Sequence, residues 1–203
     1  MVPDFTESEF EIPATIEFVG WPKIARLYRP VLITEKIDGT NAAIGVLEDG
    51  RVYAQSRKKI ITPGKSTDNH GFARWVSERE DEIRQQLGVG LHFGEWYGSG
   101  IQRGYGLVDG EKRFALFNVK RWENEPLPHG METTPLLYEG TFYDEAAQDS
   151  LDLIRNRSRA GSGDFDRAEG IVVFFTQPQY SFKVTLENDA MSKGEADALG
   201  LSA

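Results

Sequence analysis

The chain has 203 residues, 39% of them apolar and 27% charged, a formal charge of −9 and no cysteine. These values fit a globular protein with one core, and they exclude disulfides, thiolate metal sites and a cysteine nucleophile. No apolar run approaches the roughly 18 residues that a membrane span needs, and the acidic start MVPDFTESEFE is unlike a signal peptide, so a cytoplasmic protein is expected. The net negative charge argues against a non-specific coat protein for nucleic acid, whose affinity rests on clustered Lys and Arg.

The first informative segment follows the apolar stretch Val31-Leu32-Ile33 and reads Thr34-Glu35-Lys36-Ile37-Asp38-Gly39-Thr40-Asn41. A lysine among acidic and small residues becomes a nucleophile when desolvation or neighbouring cations favour its neutral amine. Gly39 allows close approach of the backbone to a ligand, and Asp38, Thr40 and Asn41 offer polar groups around it. An isolated K-x-D-G is equally compatible with an ion-paired surface lysine.

Next, Ala42 to Leu47 and Arg51 to Ser56 flank Glu48-Asp49-Gly50, a combination that predicts a hairpin. Phe72, Trp75, Val76, Ile83 and Leu87 recur near helical spacing, which predicts one helix from Asn69 to Leu87, with Asp68 as N-cap and Gly88 beyond its end. Leu91 to Trp96 reads as a strand, and Glu95 within it is costly to bury unless it accepts hydrogen bonds. The glycines between Gly98 and Gly106 do not fit a dinucleotide-binding turn. Phe114 to Val119 is expected to be a strand, and Glu123 to Pro135, with three prolines, a loop. A second helix is expected from about Asp144 to Arg157 on Ala147, Leu151 and Ile154. Strands are expected at Ile171 to Phe175 and Tyr180 to Thr185. Glu169, at the mouth of the first of these, is a candidate magnesium ligand, because magnesium keeps several waters and uses few carboxylates.

Two basic clusters stand out, Arg57-Lys58-Lys59 with Lys65, and Arg155, Arg157, Arg159 with Arg167. Each is either a solvated face or a contact for polynucleotide. The histidines His70, His92 and His129 lack metal-ligand spacing.

Taken together, EKIDGTN (from Glu35), HFGEWYGSG (from His92), FALFNV (from Phe114), AEGIVV (from Ala168) and SFKV (from Ser181) resemble motifs I, III, IIIa, IV and V of the covalent nucleotidyltransferases, the superfamily of polynucleotide ligases and mRNA-capping enzymes. The G-T-N ending of the first motif is most similar to phage and kinetoplastid RNA ligases. The resemblance implies an α+β domain related to the ATP-grasp type, with mostly antiparallel sheets flanking a nucleotide cleft and peripheral helices. It implies an ATP-dependent RNA ligase acting through a lysyl-AMP on Lys36, with magnesium, or manganese in its place, bound at Glu169. Glu35 would read the adenine amino group, Glu95 hold the ribose hydroxyls and Phe117 stack on the purine. Lys183 would neutralise the α-phosphate and lower the pKa of Lys36, while Asn41 and Arg57 would contact phosphate.

The family commonly has two lysines in motif V; here Ser181 and Thr185 flank the single Lys183, which leaves a role for another cation such as Arg103. One monomeric domain over residues 1–203 is expected, without the oligonucleotide-binding or helical domain that commonly follows. A partner protein would then supply docking onto RNA, at a nick or a stem-loop end, and the compact chain would suit a phage gene acting in the host cytoplasm. DNA sealing, GTP-dependent capping and a non-catalytic nucleic-acid-binding relic are the alternatives.

Overall fold

The computed structural model describes residues 17–24 and 29–187, leaving the acidic N-terminal segment and most of the tail after Leu186 outside the described residues. A four-stranded antiparallel sheet is formed by β1 (Pro30–Lys36), β8 (Leu136–Thr141), β9 (Gly170–Phe175) and β10 (Tyr180–Thr185), in the order β10-β9-β1-β8. The second sheet contains β2 (Thr40–Val46), β3 (Val52–Ser56), β4 (Ile60–Ile61), β5 (Gly90–Gly98), β6 (Lys112–Leu116) and β7 (Met131–Thr133), in the order β4-β3-β2-β5-β6-β7. All pairs are antiparallel except β6 with β7. The expected α+β class, with antiparallel sheets and few helices, is what folds.

Side-chain alternation decides which face of each strand is packed. Along β1, Val31 and Ile33 are buried against Ile171 and Val173 of β9 and against Leu151 and Ile154 of α4 (Ala146–Ile154). In the other sheet Ala42, Ile44 and Val46 of β2 pack against Phe72 and Val76 of α1 (Phe72–Ser77) and Ile83 and Leu87 of α2 (Glu80–Leu87). Each fully buried Ile or Leu contributes about 1.5–3 kcal/mol, so both sheets are pinned by their backs. Their front faces are left for other work. No helix among the described residues is long and apolar enough to cross a membrane.

The hairpin, the second helix and the strands at β5, β9 and β10 form where the pattern predicts them. The first helix is instead two. The N-cap is Gly71 rather than Asp68, although the Asp68 carboxylate still accepts from the first-turn amides of Ala73 (2.7 Å) and Arg74 (3.1 Å); helical structure begins at Phe72 and breaks at Arg79. Between Val76 and Ile83 the chain offers no apolar residue, so no packing holds that turn on the axis. The strand expected to reach Val119 stops at Leu116. Asn118 then caps α3 (Val119–Trp122), its side chain accepting from the Arg121 amide at 3.3 Å. The segment expected to be all loop contains β7, whose three residues are too few for a readable period.

Candidate active site

The front faces of the two sheets enclose a cleft of about 670 Å³. In β1, Leu32, Thr34 and Lys36 pair with Phe174, Val172 and Gly170 of β9, and Phe174 and Val172 pair in turn with Ser181 and Lys183 of β10. Directly paired residues share a face, so Lys36 and Lys183 project from the same side of one sheet, two strands apart. The opposite wall carries Asn41 paired with Glu95 and Ala43 paired with Phe93.

Gly39 carries the chain from one sheet to the other under tight constraint. A Cβ there would meet the Trp96 carbonyl oxygen at 2.5 Å and Tyr97 Cβ at 2.8 Å. Gly39→Ala should therefore destabilise the protein by about 1–3 kcal/mol, read as a lower urea midpoint with an unchanged slope.

Lys36 and Glu169 meet at the centre of the site, with Lys36 Nζ 2.5 Å from Glu169 Oε2. The side chains are 25% and 11% exposed, so the pair is shielded yet open to the cleft. Glu95 faces them from the other wall and is only 7% exposed. It accepts from Asn41 Nδ2 at 2.8 Å and the Gly39 amide at 3.2 Å. Burial pushes the Glu95 carboxyl up to about 7, against the opposing pull of Lys36 and these two donors.

The turn after Lys36 is clamped by a loop that the motifs do not include. The Tyr105 hydroxyl accepts from the Asp38 amide at 2.8 Å and donates to the Lys36 carbonyl at 3.4 Å, while its ring is fully buried. Arg103 Nε lies 3.3 Å from Asp38 Oδ2, and its Nη1 donates to the carbonyls of Arg167 (3.2 Å) and Ala168 (3.3 Å). One loop thus fixes the backbone beside Lys36 and the backbone beside Glu169. Arg103 is committed to this clamp.

The residues matched by the family model fall across this whole arrangement: a model of the RNA ligase family covers residues 29–185. The chain belongs to the RNA ligase family. Comparison with curated protein sequences gives no match. Among solved structures it is similar to several of Naegleria gruberi RNA ligase. A lysine-to-alanine variant with ATP and Mn aligns at TM-score 0.55 and 17% identity, covering 86% of this chain and 52% of that one. A lysine-to-methionine variant with AMP and Mn aligns at TM-score 0.55 and 16% identity, over 86% and 53% of the two chains. The form with pyrophosphate aligns at TM-score 0.54 and 18% identity, over 84% and 51%. The chain spans about half the length of these ligases, and the likeness is one of fold.

Within this RNA ligase fold the sequence motifs converge unevenly. Lys36, Asn41, Glu95 and Phe117 all line the cleft, and Glu169 reaches in through its bond to Lys36. Phe117 is 46% exposed there, whereas Phe114 is buried in the core of the six-stranded sheet. Glu35 also borders the cleft, but strand alternation turns its carboxylate to the opposite side. There it accepts from Ser158 Oγ (2.5 Å) and the amides of Arg159 (2.7 Å) and Ala160 (3.1 Å). Burial pushes its pKa up, and those donors oppose the rise. The carboxylate thus locks the 158–160 segment onto β1. Arg57 is exposed one residue beyond the Ala42–Ser56 pair, alongside Asn41 and outside the cleft lining. His92 is buried with Nε2 3.0 Å from the Gly88 carbonyl, a structural role.

Three cleft residues were not legible as such. Phe93, 54% exposed beside Phe117, could have been found from its period-2 relation to Glu95. Thr34 has the same relation to Lys36. Arg121, which lines the far end while donating to the Leu87 carbonyl at 3.2 Å, has no such signal, because α3 was not foreseen.

Among the described residues no group of three or more His, Cys, Asp or Glu is placed to hold a metal. The cleft instead offers two separate carboxylates, Glu169 and Glu95. That set fits a magnesium-like ion that binds through one or two carboxylates, water and substrate phosphates.

Proposed function

We propose that this chain is the nucleotidyltransferase portion of an ATP-dependent RNA ligase that joins 5′-phosphate and 3′-hydroxyl ends through lysyl-AMP. The observation that supports this reading best is the Lys36–Glu169 contact inside a cleft whose other wall presents Glu95 and Phe117. In the first step Lys36 Nζ attacks the α-phosphorus of ATP, the bond to pyrophosphate breaks, and a phosphoramidate forms. Glu169 Oε2, 2.5 Å away, is the nearest acceptor for the amine proton. Lys183, on the same sheet face, supplies positive charge toward the α-phosphate. Glu95 holds the ribose hydroxyls, and Asn41 keeps Glu95 aimed at them.

A divalent ion, magnesium or manganese, would supply charge neutralisation at the phosphates when bound, and Glu169 is the side chain that would hold it, with water and substrate phosphates as its other ligands. In the second step an oxygen of the RNA 5′-phosphate takes AMP from Lys36, releasing the amine. In the third step the 3′-hydroxyl attacks that phosphate, and AMP leaves as the phosphodiester closes. Asn41, in the cleft lining, and Arg57, alongside it just beyond the end of β3, would orient the phosphates of these later steps.

The test is incubation with α-labelled ATP and magnesium, followed by a nicked RNA duplex. A covalent protein label that is discharged as sealed RNA accumulates supports the reading. RNA bound without any label would make the chain a binding relic, and a label from GTP alone would make it a capping-type enzyme. Sealing of DNA in preference to RNA would reassign the polymer. Phe117→Ala should raise the KM for ATP about 10- to 100-fold with little change in kcat, as expected for one lost base stack. Thermal stability should be unaltered, because the ring is 46% exposed.

A further inference from the structure

The segment from Arg57 to Thr67 carries charge of which the proposed chemistry uses only that of Arg57. It contains Arg57, Lys58, Lys59 and Lys65 and no acidic residue, in a chain with 32 Asp and Glu against 23 Lys and Arg. All four cations are exposed, and none has an ion pair or side-chain hydrogen bond among the described residues. Elsewhere the pattern differs: Arg51, Arg113 and Lys120 each lie within 2.7 Å of a carboxylate oxygen. The second basic cluster is mixed as well, since Arg155 pairs with Asp152 at 3.0 Å, Arg167 lies over the Phe165 ring, and Asp164 and Asp166 stand among its members.

The segment is also ordered and anchored at the nucleophile's turn. It leaves β3 where Ser56 pairs with Ala42, and just beyond its end Asn69 Nδ2 bonds Thr40 Oγ1 at 3.0 Å. Between these anchors the Ser56 amide bonds the Lys59 carbonyl (2.8 Å), β4 pairs with β3, and the Thr62 amide bonds the Thr67 carbonyl (3.2 Å). Four unneutralised cations therefore sit on a fixed lip whose two ends flank Thr40 and Asn41. A positive, defined edge in an otherwise acidic molecule selects a polyanion. Ile60, 65% exposed on the same lip, adds an apolar surface that phosphate alone does not need but a nucleotide base can cover.

We propose that this β3–β4 lip is the docking surface for the 5′-phosphorylated RNA strand, with Lys58, Lys59 and Lys65 on its phosphates, and that it leads the strand end into the cleft at Asn41. That the cargo is a strand for sealing rests on the ligase reading; that the lip binds RNA does not.

The test compares the full chain with Lys58→Gln/Lys59→Gln/Lys65→Gln in binding a short single-stranded 5′-phosphorylated RNA across a range of salt. Single strands lose about 0.7 in the log–log salt slope per neutralised phosphate, so the variant should lose about 2. At 0.1 M salt that corresponds to about 100-fold weaker binding. Labelling by ATP alone should equal that of the parent, which also reports that the fold is intact. Arg157→Gln/Arg159→Gln, in the other basic cluster, should leave the slope unchanged. Parental slope and affinity in the lip variant, or an equal loss in the arginine pair, would overturn the proposal. A parent that takes no label from ATP removes the ligase reading, and the binding comparison still decides the lip.

Discussion

Lys36→Ala should lower covalent labelling by nucleotide by about 10³-fold or more, because among the described residues no other lysine lines the cleft to replace the attacking amine. The difficulty with any such variant is that a lost label could report a damaged fold. Here the geometry separates the two. Lys36 is not part of either core, but its removal leaves the Glu169 carboxylate, 11% exposed, without the cation 2.5 Å away. A shielded charge that loses its partner destabilises, and with the amine itself 25% exposed the effect should be about 1 kcal/mol. Neutralising the orphan should recover that loss, so Lys36→Ala/Glu169→Gln should melt near the parent while remaining unlabelled. Under the proposed mechanism Glu169→Gln alone should also be impaired, since Glu169 is there the acceptor of the amine proton and the carboxylate that would hold a magnesium-like ion. Recovery of label in the double variant would remove Lys36 from the chemistry.

Much of this site was legible because its chemistry sits at strand ends that short motifs mark. Lys36 and Glu169 lie 133 residues apart in sequence. They meet because β1 and β9 pair in a register that sets Lys36 opposite Gly170. Composition and period predict a strand at Ile171 to Phe175 and mark Val31 to Ile33 only as apolar; they say nothing about which segments pair, so the family motifs had to supply the proximity. The same limit explains Glu35. Its neighbour Lys36 faces the cleft, so alternation alone sends the Glu35 side chain to the other face, but its partners Ser158 to Ala160 lie in irregular chain with no period to read.

The Tyr105 clamp was illegible for another reason. Tyr105 adopts φ 51 between two positive-φ glycines, so its ring turns inward from a glycine-rich loop that composition alone marks as exposed turn. The break at Arg79 and the start of α3 at Asn118 are local decisions, one made by an absent apolar residue and the other by a single cap. Neither alters the cleft wall formed by Phe93 and Phe117, where the purine is proposed to stack.

Glu95→Gln should make the protein more stable at pH 8 while impairing it as an enzyme. In the folded state burial raises the Glu95 carboxyl from an ordinary value of 4.5 to about 7. Between these values the native protein holds a proton that the unfolded chain has released, so unfolding stability falls as pH rises. The contribution is fully present below about 4.5 and lost above about 7, and it amounts to about 3 kcal/mol. Glutamine stays neutral throughout and keeps one oxygen to accept from Asn41 or the Gly39 amide. The parent should therefore lose stability from pH 5 to pH 8 by about 3 kcal/mol more than the variant does, measured as urea midpoints at the two pH values. Glu35 is shifted in the same direction, but it is common to both proteins and cancels in the difference. Equal pH dependence in the two would show that Glu95 is ionised in the fold well below pH 7. In catalysis the sign is opposite. If the ionised carboxylate is the form that holds ribose, nucleotide capture by the parent should rise through pH 7, and Glu95→Gln should lose that rise along with most of its activity. The buried carboxylate is thus destabilising to the empty protein at the pH where it is needed, and nucleotide or a metal ion that favours its charged form should raise thermal stability most at high pH.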